Sequence, residues 1–266
     1  MKKFDIGPND LEDTPIRSKV RRSECPEIVD PIRKTEFLQI IGSILYGYTH
    51  CRLDLAYAVG MMTRVMHSPS AGHLTQLKHL LRYINFTKHH SLKYHRDHSV
   101  AYGMDYIFTG SVDSSHADCE DTHRSTGGWY FNLGPGQGCV ASKSGQSPDV
   151  ALSSTESETI WVCSAACQGA YMKQFIDEMD IFGSVTFELM EDSQPAINAQ
   201  KRNVSQSKFR HIKTKYHYVR QLIYDRWTKL VKINTKDQIA DMATKVLSAP
   251  VVSRFTKIIL GHILPP

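Results

Sequence analysis

The sequence predicts an α/β protein: a mixed five-stranded sheet flanked by helices, preceded by a small helical subdomain. Two observations carry this expectation. Apolar residues recur at helical spacing from Thr35 to about Ile84, and beyond Gly103 they fall in short β-branched and aromatic runs. From Tyr106 the elements read strand, strand, strand, helix, strand, helix, helix, strand, helix, a pattern that buries its apolar faces as a sheet with helices packed on it.

Residues 1–34 are polar and carry Pro8, Pro15, Pro26 and Pro31, which reads as an extended lead-in. Residues 35–100 form the helical subdomain. Its first helix shows Phe37, Ile40, Ile41, Ile44, Leu45 and Tyr48 on one face, and its second runs through Leu55 to Met66. A third follows Pro69, with Ser70 as N-cap and Leu74, Leu77, Leu80, Leu81 and Ile84 on one face. None of the three carries an obvious catalytic residue, so they read as a packing or docking unit.

The sheet domain spans 104–250. Strands are expected at Tyr106–Val112, Thr126–Leu133, Cys139–Ser142, Val185–Met190 and Lys229–Asn234, with a Gly-Pro-Gly turn at 134–136. Helices are expected at Ser153–Met179, from about Gln194, at Ser207–Arg226 and at Gln238–Val246. Residues 251–266 read as a tail or helix.

Composition excludes several classes. With 41% apolar and 22% charged residues the chain is an ordinary globular protein, neither disordered nor collagenous. No apolar run reaches the roughly 18 residues that a membrane span needs, so no membrane partner is expected. Cys25, Cys51, Cys119, Cys139, Cys163 and Cys167 form no CxxC pair, which suits a reducing, intracellular compartment. The 13 histidines include no HExxH motif.

Four acids fall where this layout brings strand ends and helix faces together. Asp113 closes the first strand, Glu158 lies early in the long helix, Asp192 follows the fourth strand and Asp241 sits in the last helix. Clustered carboxylates raise one another's pKa unless cations neutralise them. Their hard oxygens suit Mg²⁺ or Mn²⁺, and a pair of such ions can activate water and stabilise the leaving oxygen of a phosphodiester. Each acid also has an ordinary structural reading: Asp113 as a turn residue, Asp192 as a helix cap, Asp241 as an exposed helix residue. Glu156 competes with Glu158 for the helix position. Glu158 continues the row Val162, Ala165, Gly169, Met172, Ile176 and Met179, the face that lies against a sheet, whereas Glu156 heads a mixed row.

The net charge of +5 is concentrated. Between Lys201 and Lys245 there are twelve Lys or Arg against three acids. Within it Arg210, His211, Lys213, Lys215, His217 and Arg220 alternate with Phe209, Tyr216 and Tyr218, a mixture that suits a phosphate backbone. The plain alternative is a solvated basic helix whose aromatics belong to the core.

Seven strings in order make the chain recognisable: Ile40–Gly60, His79–Tyr94, Val112–Phe131, Ala151–Ile160, Glu191–Ile197, Arg210–Arg220 and Thr235–Leu247. It resembles the C-terminal part of the Pol polyprotein of copia-type LTR retrotransposons, the end of the reverse transcriptase followed by its ribonuclease H domain. The resemblance implies a ribonuclease H-like sheet in which Asp113, Glu158, Asp192 and Asp241 are catalytic and hold two Mg²⁺ (or Mn²⁺). It implies an endoribonuclease that cleaves the RNA strand of an RNA–DNA hybrid, with the basic helix gripping the hybrid. The first helices would be a thumb- or connection-like remnant. No Tyr-x-Asp-Asp motif occurs, so the polymerase palm and fingers are expected outside this chain and no polymerase activity is expected. The family's Asp-Ala-Asp-Trp-Ala is here Asp113-Ser114-Ser115-His116-Ala117, which removes an acid and a Trp. Cytoplasmic particles or the nucleus are the compartments the family implies. The rival reading is an inactive element fragment that binds nucleic acid or packs as a structural piece; a third is another metal nuclease or integrase on the same fold.

Overall fold

The computed structural model describes residues 4, 6–19, 30–96, 102–134, 136–201 and 213–262. Helix α1 (Pro31–His50) starts where Asp30 accepts a hydrogen bond from the Ile32 amide and Pro31 occupies the first turn. After a 3-10 turn at Leu53–Leu55 comes α2 (Ala56–Thr63), then α3 (Ala71–Phe86), whose Ser70 and His73 form a reciprocal capping box. Phe37, Ile40, Ile41, Leu77 and Leu80 are fully buried between them. Ile6 and Ile16 are buried in the same cluster, so part of the lead-in packs on the bundle.

Five strands follow: β1 (Tyr106–Ser115), β2 (Thr126–Asn132), β3 (Cys139–Gln146), β4 (Val185–Glu191) and β5 (Thr228–Lys232). Their order is β3-β2-β1-β4-β5. The β1–β2 and β2–β3 pairs are antiparallel, and the β1–β4 and β4–β5 pairs are parallel. Parallel neighbours need crossovers. Helix α4 (Ser154–Glu178) supplies the one into β4, and α5 (Gln194–Lys201) and α6 (Lys213–Tyr224) the one into β5. The sequence expectation of a mixed five-stranded sheet with a helical lead is met.

The two sheet faces are covered differently. Helix α4 lies on one, burying Val162, Ala165 and Ile176 and bringing Gly169 so close to the Phe187 ring that a methyl group there would collide with it. On the other face sits a 3-10 helix, Ile239–Ala243, with α7 (Ala249–Ile259) behind it. One apolar cluster joins that face to the bundle: Tyr130 and Cys139 from the sheet, Ile239 and Met242, Phe255 and Ile259, and Ile40 and Leu80 from α1 and α3.

Several boundaries differ from the sequence reading. Strand β1 continues to Ser115, so Asp113 is a strand residue and not a turn. Strand β3 runs to Gln146. The helix expected at Gln238–Val246 is the 3-10 segment Ile239–Ala243. Its five residues are all buried, and Gln238 pins its start by accepting from the Ala240 amide and donating to the Val112 carbonyl. A segment packed on all sides shows no exposed face, which defeats a periodicity argument. Helix α6 ends at Tyr224 because Arg226 turns left-handed (φ 59°) and the Trp227 amide bonds back to Leu222. The tail contains α7, which begins at Ala249 with Pro250 in its first turn.

Gly127 of β2 places its α-hydrogen against the Trp161 indole, which is held by a 2.9 Å hydrogen bond from Nε1 to Ser147 Oγ. A methyl group there has no space, and the ring cannot yield without moving α4. Gly127→Ala is expected to cost about 1–3 kcal/mol by overpacking. Thermal unfolding checks it, and an unchanged midpoint would refute this contact.

Candidate active site

Asp113 faces away from α4. Its β2 partner is Gly128, whose missing side chain would meet Ala243 of the 3-10 helix, whereas Ser114 pairs with Gly127, which abuts Trp161 of α4. Side chains alternate along a strand, so Asp113 and Ser114 project to opposite faces. Asp113 is buried, at 2% exposure. It accepts a hydrogen bond from Thr244 Oγ1. Asp241 stands on the same side, and the Lys245 ammonium links the two, 2.7 Å from Asp241 Oδ1 and 3.3 Å from Asp113 Oδ1. Lys245 is four residues after Asp241, the spacing that brings side chains together on a turn.

Glu158 occupies the second turn of α4. Ser153 caps that helix by accepting from the Glu156 amide, and Glu156 Oε2 accepts from the Leu152 amide at 2.9 Å. Glu156 therefore secures the helix start; both glutamates are buried, Glu156 at 3% and Glu158 at 7% exposure, so burial does not separate them. Asp192 follows β4 and its carbonyl accepts from Lys232. The cap of α5 is Ser193, whose Oγ accepts from the Ala196 amide, so capping does not account for the Asp192 side chain.

A fifth acid, Glu191, has no exposed surface. It closes the buried row Val185, Phe187, Leu189 on β4. Its Oε1 accepts from the Ser193 amide at 2.8 Å.

The acids act on one another. Burial pushes the Glu158 carboxyl up to about 10, helped by repulsion from Glu191, Asp113 and Asp192 and opposed by the nearby Ser114 hydroxyl. Burial likewise raises Glu191 to about 8; donation from the Ser193 backbone opposes this, and Asp192 and Asp113 add to it. Asp241 rises to about 6 through burial and Asp113, against the pull of Lys245. Burial disfavours the charged Lys245, but Asp113 and Asp241 outweigh it and hold the ammonium more firmly protonated than usual. The four sequence-selected acids and Glu191 thus form one electrostatic group at the C-terminal ends of the parallel strands β1 and β4, where ligands of open α/β sheets bind.

The donor set fits a hard divalent ion: every candidate ligand is a carboxylate, and Glu158 Oε2 and Glu191 Oε2 are buried oxygens with no hydrogen-bond partner among the described residues. As they stand, no three His, Cys, Asp or Glu side chains among the described residues are in ligating geometry. Sequence reasoning missed Glu191 and Lys245. Glu191 was legible as the fourth member of an alternating buried row, and Lys245 from its spacing to Asp241.

Of the basic segment, Arg210 and His211 lie outside the described residues. Lys213 and Lys215 are in the first turn of α6. This helix buries Val219 and Leu222 and exposes His217 and Tyr218 (41%), with Arg220 partly buried. Tyr218 is therefore not a core aromatic, contrary to the plain alternative.

No family model matches the chain. Curated relatives do. The chain is 29% identical over 239 residues to the retrovirus-related Pol polyprotein from transposon TNT 1-94 of Nicotiana tabacum, covering 88% of this chain and 17% of the relative. It is 28% identical over 240 residues to the corresponding polyprotein from transposon RE1 of Arabidopsis thaliana, covering 90% of this chain and 16% of the relative. The chain is a homologue of retrovirus-related transposon Pol polyproteins. It spans about one sixth of the length of these Pol relatives. Among solved structures, ribonuclease H1 from the archaeon Halobacterium salinarum matches at TM-score 0.37 and 18% identity, covering 52% of this chain and 94% of that one. The fold of this Pol homologue is a mixed five-stranded sheet of order β3-β2-β1-β4-β5 with flanking helices.

Proposed function

We propose that this Pol homologue is a divalent-metal-dependent endoribonuclease that cleaves the RNA strand of RNA–DNA hybrids during retroelement reverse transcription. The observation that carries the reading is the convergence of acids from four distant segments. Asp113, Glu158, Asp192 and Asp241 share one buried electrostatic field although up to 128 residues separate them. Buried acids that raise one another's pKa at the end of a sheet are what a phosphodiester-cleaving centre uses, and that supports the reading.

These four residues would hold Mg²⁺ or Mn²⁺, two ions by the family resemblance. Bound, such ions activate water and stabilise the departing 3′ oxygen. The chain itself orients the ligands: Thr244 fixes the Asp113 carboxylate, the capped start of α4 fixes Glu158, and the Gln238 contacts fix the segment bearing Asp241. Arg210, His211, Lys213, Lys215, His217 and Arg220 would grip the hybrid through its phosphates, with Tyr218 as an exposed aromatic beside them. The rest of the polymerase would be supplied by the remainder of a larger polyprotein.

A labelled RNA–DNA hybrid incubated with the full chain and Mg²⁺ tests the proposal. Cleavage confined to the RNA strand, absent with chelator and lost in Asp192→Asn, is expected; full activity in that variant would sink the site assignment. One observation favours a second reading, an inactive nucleic-acid-binding fragment: Lys245 stands between Asp113 and Asp241, two of the proposed ligands. Salt-sensitive hybrid binding without turnover in either Mg²⁺ or Mn²⁺ would decide for it.

A further inference from the structure

None of the four candidate acids belongs to the helical bundle, yet the bundle encloses the segment that carries Asp241. The 3-10 helix Ile239–Ala243 has the sheet on one side, where Ala243 lies at Gly128 and its carbonyl accepts from Ser144 Oγ of β3 at 2.6 Å. On the other side Met242, 3% exposed, borders a void of about 10 Å³ together with Lys245 and with Asp54, Tyr57 and Ala58 of the bundle. A polar chain reaches the same segment through α7. Arg52 and Asp54, both buried, form a two-pronged ion pair at 2.8 and 2.7 Å, and Arg52 also donates to Thr87 Oγ1 at 2.7 Å. The Tyr83 hydroxyl of α3 donates to Asp54 at 3.3 Å and is 3.1 Å from Thr256 Oγ1 of α7. Two residues before Thr256, Arg254 holds the turn that leads into the 3-10 helix, 2.5 Å from Asp237 Oδ1 and 3.1 Å from the Lys236 carbonyl.

We propose that the bundle positions the segment bearing Asp241 and Lys245, and that Tyr83 and Thr256 are positioning residues that carry its hold through α7. The effect on cleavage rests on the hydrolase reading; the effect on the order of the segment does not. Asp113 is fixed by its place in the middle of the sheet, whereas Asp241 sits on five residues of 3-10 helix, a form that rarely persists on its own beyond three or four. Lys245 bridges the two acids, but a lysine on its flexible stem follows their spacing and cannot set it. The rigid part is the Arg52–Asp54 pair. A buried ion pair adds little net stability, yet parting it leaves a bare charge in the core, so it admits one arrangement and penalises the others. Tyr83 passes that arrangement to Thr256, and Arg254 passes it from α7 to the entry of the 3-10 helix.

Amide hydrogen exchange of the full chain, read by mass spectrometry in chelator, tests this with Tyr83→Phe and Thr256→Val, each of which deletes one end of the same hydroxyl contact. Exchange across 239–245 is expected to quicken about fivefold in either variant, and no further in the double variant, while α4 and β4 stay as they are. In hybrid cleavage kcat should fall about threefold or more with KM unchanged, since the substrate is still held but an acid is out of place. Unchanged exchange at 239–245, or an equal rise through the whole chain, would overturn the inference and leave the hydrolase reading standing. Local loosening with unaltered kcat in an active chain would overturn it as well. If the wild-type chain cleaves nothing while the segment loosens as expected, the hydrolase reading falls and the positioning role stays. Should either variant fail to fold, Arg254→Gln, at a partly exposed position on the same route, is expected to give the same local quickening, and its absence there would decide against the role.

Discussion

Asp113→Asn is expected to lower hybrid cleavage by on the order of 10²–10³-fold, the usual cost of removing one preorganised electrostatic group from a reacting centre. Stability should move the other way or not at all. The amide still accepts from Thr244, and Lys245 keeps its 2.7 Å partner Asp241. Meanwhile Asp113's contribution to the raised pKa of Asp241 and of Glu158 disappears. Loss of activity with an equal or higher melting temperature separates a catalytic carboxylate from a structural one. An Asp113→Asn protein that cleaves within threefold of wild type would refute the assignment, as would one that unfolds in the same conditions.

The second large effect concerns pH in the absence of divalent ions. Glu158 and Glu191 ionise near 4.5 when unfolded but near 10 and 8 in the folded chain, and Asp241 moves from 3.8 to about 6. The folded state therefore binds more protons than the unfolded state across this window. Stability is full below about pH 4 and falls as pH rises, through about 6 for Asp241 and about 8 for Glu191. One excess proton corresponds to about 1.4 kcal/mol per pH unit, which for a chain of this size is roughly 3–5 °C of melting temperature. Melting in chelator should thus drop between pH 6 and pH 8, and Mn²⁺ should flatten the slope by replacing the protons. A midpoint that rises over that interval in chelator would show that the acids do not share a buried field.

Much of this molecule was legible in its residues because the determinants are local. The bundle helices announce themselves through the spacing of Phe37, Ile40, Ile41 and Ile44 and through the Ser70 cap. The long helix did so through Ser153 and the row from Glu158 to Ile176, and that row chose Glu158 over Glu156. What failed was equally local in cause. The segment at Ile239–Ala243 reads as an amphipathic helix only if one face is exposed, and the folded chain buries all five residues. Strand β1 was cut short at Val112 because Asp113 looks like a turn residue; its partner Gly128 and the neighbouring Ala243 make room for a buried acid there.

Sequence alone determined most of the elements and singled out Asp113, Glu158, Asp192 and Asp241 as candidates, because cap chemistry, helix periodicity and strand ends are set by neighbours within a few positions. Only the tertiary structure decided how those acids are shared out. The sheet's pleat sends Asp113 to one face and Glu191 to the other, and the fold carries Lys245 to Asp113 from 132 residues away in the chain. Charge balance in a buried group depends on through-space distance, which no linear spacing encodes.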